Sequence, residues 1–162
     1  MRKLIWAAAL MAVIPIFASA QTSDVGRTQA YVFIAPGVAT GGGASAQLQF
    51  GGGVDALVYK GVGLGAEIGY NGRLQSLRNG FGIFSVNGSY HFEKDPQAGK
   101  FDPFVTGGYS RFFSGSANAL NFGVGTNYWF TKKTGMRLEF RDNVPFRGGG
   151  NFIAFRLGLT FR

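Results

Sequence analysis

The chain has 162 residues, no cysteine, a formal net charge of +8 and only 15% charged residues. This excludes a disulfide-stapled secreted domain, and the 15% aromatic content, with 17 Phe, excludes a disordered one. The cationic surplus is scattered rather than clustered, which disfavours a nucleic-acid partner.

At the N-terminus, Arg2-Lys3 form a basic start and Leu4 to Phe17 an apolar run interrupted by Pro15. Ala18-Ser19-Ala20 then supplies a small-x-small cleavage pattern. The apolar run is short for a membrane span of roughly 20 residues and lacks a basic stop-transfer flank. Residues 1–20 therefore read as an export signal, and residues 21–162 as a single domain. After Gln21 no long stretch escapes glycine, charge or amide residues, so no transmembrane helix is expected.

Turn signals divide the domain into segments matching the roughly 9–11 residues of a tilted membrane strand. Strands are predicted over Thr28–Pro36, Ala46–Tyr59, Val62–Asn71, Gly80–Phe92, Phe101–Phe113, Ala119–Thr131, Met136–Val144 and Asn151–Arg162. In the third strand Val62, Leu64, Ala66, Ile68 and Tyr70 alternate with Gly63, Gly65, Glu67 and Gly69. In the seventh, Met136, Leu138 and Phe140 alternate with Arg137, Glu139 and Arg141. Successive side chains of a strand point to opposite faces, so each of these strands has one oily face and one glycine-or-ion face. Glycine is a poor coat against water but suits a narrow interior where side chains compete for volume. The pattern implies lipid outside and a small polar lumen inside.

Phe84, Val86, Tyr90 and Phe92 likewise oppose Ile83, Ser85, Asn87, Ser89 and His91 in the fourth strand. Phe122, Val124, Thr126, Tyr128 and Phe130 oppose Asn121, Gly123, Gly125, Asn127 and Trp129 in the sixth. Ile153, Phe155, Leu157, Leu159 and Phe161 oppose Phe152, Ala154, Arg156, Gly158 and Thr160 in the eighth. The first and fifth strands have no legible face; glycine interrupts both faces of the fifth, as at a bend or bulge. The expected fold class is all-β: an eight-stranded antiparallel up-and-down transmembrane barrel, closed because an open sheet edge in hydrocarbon leaves backbone groups unsatisfied.

With a periplasmic N-terminus, Lys60-Gly61, Glu93–Lys100 and Lys132–Gly135 become periplasmic turns. Gly37–Ser45, Gly72–Asn79, Ser114–Asn118 and Pro145–Gly150 become outer loops. Phe81, Phe92, Phe101, Phe112, Phe130 and Phe161 fall near strand ends and are expected to form two interfacial girdles.

The segments Lys-Phe-Asp-Pro-Phe-Val-Thr-Gly-Gly-Tyr (Lys100–Tyr109), Asn121–Phe130 and Arg156–Phe161 resemble those of small outer-membrane barrels of the OmpA/OmpX type. The resemblance spans the whole mature region and implies a bacterial outer-membrane location. Gly158 and Phe161 match the family's last-strand assembly signal, implying the outer-membrane assembly machinery as a partner; Arg162 stands where that pattern has a terminal Phe. The resemblance also implies a gate or ion path in some members, and lipid A deacylation or palmitoyl transfer in others.

Glu67, Arg137, Glu139, Arg141 and Arg156 fall on the predicted inner face, and Asp55 joins them. A buried ion is costly unless paired, so a lumenal network is expected, with Glu139 near Arg137 or Arg156 and Glu67 on another wall. It reads as a polar plug or as a gate. The sole histidine, His91, follows Ser89 by two residues and precedes Glu93, which raises a hydrolase or acyltransferase. The lumenal face and periplasmic end of that group weigh against it, so no enzyme is expected. Arg73, Arg78 and Arg147, in predicted outer loops, are candidate contacts to lipopolysaccharide phosphates. Gly41-Gly42-Gly43 and Gly148-Gly149-Gly150 lack a following Gly-Lys-Ser/Thr and read as loop tips. One His, no Cys and no acidic cluster give no metal or cofactor site.

The reading is thus a monomeric outer-membrane barrel in contact with membrane lipid and with lipopolysaccharide, structural or interactive in role. No tether to peptidoglycan is expected. The rival class is a secreted lipocalin-like binding barrel with a wet exterior and an apolar cavity.

Overall fold

A computed structural model describes residues 28–92, 99–113, 117–148 and 150–162. The proposed export signal, and Glu93 beside His91, lie outside these residues. The strands are β1 (Thr28–Ala39), β2 (Ser45–Tyr59), β3 (Val62–Arg73), β4 (Ser76–His91), β5 (Phe101–Phe112), β6 (Asn118–Trp129), β7 (Thr134–Pro145) and β8 (Phe152–Phe161). Each pairs antiparallel with the next, and β8 returns to β1 through a register running from Ala30↔Phe161 to Ala39↔Phe152. The result is a closed barrel without a free edge. The β2–β3, β4–β5 and β6–β7 connections share the end at which β1 begins, termed proximal here; the other end is distal.

Closure follows from the alternation. Leu64 is 59% exposed and Leu157 44% exposed, whereas Glu67 is 3% and Glu139 1%. The exterior is therefore a belt of Val, Ile, Leu and Phe, while Asp55, Glu67, Asp102, Arg137, Glu139, Arg141 and Arg156 turn inward. Glycines on the inner face make room for what the neighbouring strands send in. A Cβ on Gly53 would lie 2.7 Å from the Tyr31 hydroxyl, and one on Gly125 2.7 Å from the Phe104 ring.

β1 and β5, whose faces the sequence leaves undecided, both bury aromatics. Tyr31, Phe33 and Ala35 face inward on β1, and Phe104 and Phe112 on β5. The expected bulge in β5 is not there: its ladders with β4 and β6 run without a shift. Gly88 and Gly107 instead face each other across the β4–β5 pair, on the outer surface. The register shifts occur at Leu57/Tyr59 and at Asn71/Arg73.

The predicted loop at Gly72–Asn79 is also replaced. β3 and β4 meet through a turn at Leu74 and Gln75, because both strands continue beyond the predicted ends. At the proximal end the β2–β3 turn has positive φ at both Lys60 (40°) and Gly61 (85°), the conformation whose twist suits a two-residue hairpin. Of the expected girdle, Phe92, Phe101, Phe130 and Phe161 are exposed. Phe81 and Phe112 are not: they pack on Ile83, Ala117 and Ala119 on the inner side, since the parity of their strands turns them away from the surface.

Candidate functional site

Among the described residues, the carboxylates of the lumen fall into two clusters separated by aromatic rings. The central one joins β3, β7, β8 and β1. Arg156 grips Glu67 with both terminal nitrogens, Nη1 to Oε2 at 2.7 Å and Nη2 to Oε1 at 2.8 Å. Arg141 Nη1 reaches the same Oε2 at 3.2 Å, and the Tyr31 hydroxyl donates to it at 3.0 Å. Arg141 also binds Glu139 Oε1 at 2.5 Å, and Arg137 Nε donates to Glu139 Oε2 at 3.2 Å. Arg141 therefore ties the β3 carboxylate to the β7 carboxylate across the interior. Paired, charge-assisted bonds of this kind are the stronger class, and each carboxylate here has two guanidinium partners.

The inward aromatics complete the site. The Arg156 guanidinium lies 4.1 Å from the Phe33 ring centre, and that of Arg137 lies 4.0 Å from Phe104 and 4.4 Å from Tyr31. Arginine stacks on ring faces with little hydration to lose, so a cation can sit in this narrow space. Phe104 is also stacked by His91, with centroids 5.4 Å apart.

His91 anchors the second cluster, nearer the proximal end. Its Nδ1 is 2.9 Å from both oxygens of Asp102, and its Nε2 is 3.4 Å from Asp55 Oδ2. Asn127 Nδ2 donates to Asp102 Oδ2 and to Gln29 Oε1, each at 3.0 Å. Ser89 Oγ donates to Asp55 at 3.0 and 2.8 Å. This is the wrong order for nucleophilic catalysis, which needs the base against the serine and the carboxylate behind the base. Here the serine is spent on the carboxylate.

All six inner-face candidates lie in the lumen: Glu67, Arg137, Glu139, Arg141 and Arg156 meet in the central cluster, and Asp55 in the His91 cluster. Of the two partners expected for Glu139, Arg137 is the one bound; Arg156 faces Glu139 across the β7–β8 ladder but reaches over to both oxygens of Glu67. Sequence reasoning missed Tyr31, Asp102, Gln29 and Asn127. The signal for Asp102 was the inward parity of β5, hidden by glycine on both faces. Arg73, Arg78 and Arg147 are exposed at the distal end and are not brought together with the lumenal groups.

No protein-family model and no curated protein sequence matches the chain. Several solved structures share its fold. The N-terminal β-barrel domain of Pseudomonas aeruginosa OprF superposes with a TM-score of 0.65 at 18% identity, covering 84% of this chain and 96% of that one. A de novo designed transmembrane β-barrel gives 0.63 at 15% identity, covering 86% and 97%. Neisserial surface protein A gives 0.63 at 12% identity, covering 83% and 96%. The fold is that of a small transmembrane β-barrel. That a designed sequence matches as well as natural ones shows what is shared: strand number, closure and alternation, rather than a set of site residues.

Proposed function

We propose that the chain is a small integral barrel of a bacterial outer membrane, structural or interactive in role, whose lumen is plugged by its own side chains and does not serve as a general diffusion pore. The observation that carries this reading is the Arg141 bridge between Glu67 and Glu139, with Arg156 and Arg137 holding the outer oxygens. Eight strands leave an interior just wide enough for side chains, and this one is crossed by interlocked ion pairs and rings. Outer-membrane location is supported by the apolar belt and by the barrels of similar fold. In the proposed orientation, with the N-terminus periplasmic, the proximal end faces the periplasm.

A lipocalin-like binding barrel is disfavoured, because its exterior would be polar and its cavity apolar, the reverse of the observed distribution. A lipid A-modifying enzyme is disfavoured by the Ser89–Asp55 bond. Arg73, Arg78 and Arg147 remain the proposed contacts to lipopolysaccharide, the assembly machinery a proposed partner, and the monomer the proposed state. The test is single-channel recording of the full chain in planar bilayers. No large, steady conductance is expected; a stable open level of pore size would overturn the plugged-lumen reading.

A further inference from the structure

At the proximal end of the β6–β7–β8 wall, backbone contacts bring four cationic residues to one corner. Lys132 and Lys133 occupy the β6–β7 turn and are exposed. Arg162 lies beside them, its Nε donating to the Lys132 carbonyl at 2.9 Å and its backbone N–H to the Lys133 carbonyl at 3.1 Å. Lys100 is tied in by the Trp129 N–H, which donates to its carbonyl at 2.8 Å. The turn is built rather than loose. Thr131 Oγ1 accepts from the N–H groups of Lys133 (3.1 Å) and Thr134 (3.0 Å), and Arg162 is stacked 3.9 Å from the Trp129 ring centre. The carboxylates described at this end, Asp55 and Asp102, are turned into the lumen.

Directly along the same wall, on the lipid-facing surface, runs an apolar groove of about 400 Å³ lined by Val32, Ile34, Met136, Leu157 and Leu159. It begins two residues from the corner: Met136 pairs with Leu159, and Thr134, next to Lys133, pairs with Phe161. Exposed Phe130 and Phe161 stand between corner and groove, at the level where aromatics mark a membrane interface. A cationic platform above a hydrocarbon-lined channel matches one molecule in both its parts.

We propose that this wall is a binding site for an anionic phospholipid of the periplasmic leaflet, its phosphate on Lys132 and Lys133 and one acyl chain in the groove below. Arg162 is a positioning residue that clamps the turn. The site rests on the membrane orientation proposed above. Cations near a membrane surface favour anionic headgroups additively, and the groove adds apolar contact that a free phosphate lacks.

The full chain, folded in detergent, is mixed with equimolar phosphatidylglycerol and phosphatidylethanolamine, and retained lipid is read by native mass spectrometry. Preferential retention of one phosphatidylglycerol per barrel is expected, resistant to inorganic phosphate. K132Q/K133Q, in an exposed turn, should lower that preference by about tenfold or more while keeping the heat-modifiable gel migration of the folded barrel. The distal variant R73Q/R78Q should leave it unchanged. Equal retention of the two lipids, displacement by inorganic phosphate, or equal losses in the proximal and distal variants would overturn the site. Failure of the chain to insert into phosphatidylcholine vesicles would overturn the membrane reading itself; insertion without lipid preference overturns this site alone.

Discussion

The two lumenal clusters are built from the same kinds of carboxylate, yet they are held differently. Around Glu67 and Glu139, every cation is an arginine, always charged, and each carboxylate is held by two of them. Around Asp55 and Asp102, the one donor shared by both carboxylates among the described residues is His91, and the other described partners are a hydroxyl and neutral amides. The first cluster is redundant and indifferent to pH. The second depends on one ring and its proton. On the proposed reading, the middle of the barrel is held by groups that stay charged and one end depends on a titrating ring.

The comparison is tested most severely at Glu67. Glu67→Ala removes the carboxylate held by Arg156, one partner of Arg141 and the acceptor of Tyr31, leaving Arg156, among the described acceptors, only the Gln49 carbonyl at 3.3 Å. Breaking a buried pair by deleting one partner costs about 3–5 kcal/mol, because the surviving charge stays buried. Urea unfolding of the detergent-folded barrel should show a loss of that size, with little change between pH 6 and pH 9. A loss below about 1 kcal/mol would mean that water solvates this cluster, and the proposed plug would fail with it.

A smaller and differently shaped effect is expected at His91. His91→Phe keeps the ring on Phe104 but removes both donors from between Asp55 and Asp102. Leaving buried acceptors unsatisfied costs about 1–3 kcal/mol. Only the protonated ring can donate to both carboxylates, so the gap between parent and variant should be widest where the imidazole is cationic. It should shrink as the pH is raised and the ring loses its proton. A pH-independent gap in urea midpoints would place His91 with the central cluster and erase the contrast.

What the sequence made legible follows the same division. The faces of β3, β4, β6, β7 and β8 are readable because lipid selects Leu, Ile, Val and Phe outside, while the inner positions carry glycine, amide or ion. β1 and β5 are opaque because the lumen is packed like a core. Tyr31, Phe33 and Phe104 face inward to stack on Arg137 and Arg156, so the polar–apolar contrast that marks the other strands is lost there. His91 was legible as unusual but not as to its partners. Neighbours in sequence suggested Ser89 and Glu93, whereas the register sets His91 opposite Phe104, bringing in Asp102 two residues before it. Such contacts come from strand pairing and barrel shear, which local spacing does not encode. Phe81 and Phe112 misled for a related reason: proximity to a strand end suggests an interface, but parity decides the face.

The finest distinction lies within the central cluster itself, at Tyr31. Its hydroxyl donates to Glu67 Oε2, an oxygen that also receives Arg156 and Arg141. If redundancy is what sets this cluster apart, losing one neutral donor from an acceptor with two cationic ones should matter little. Tyr31→Phe keeps the ring under Arg137 and is expected to cost about 0.5–1.5 kcal/mol, toward the low end. Combined with Glu67→Gln, the effect of Tyr31→Phe should grow, because a neutral amide no longer holds both arginines and leans on the remaining donor. A double-mutant cycle by urea unfolding reads this coupling directly. Strict additivity would show that the hydroxyl and the guanidinium groups act as separate contacts and not as one interlocked set.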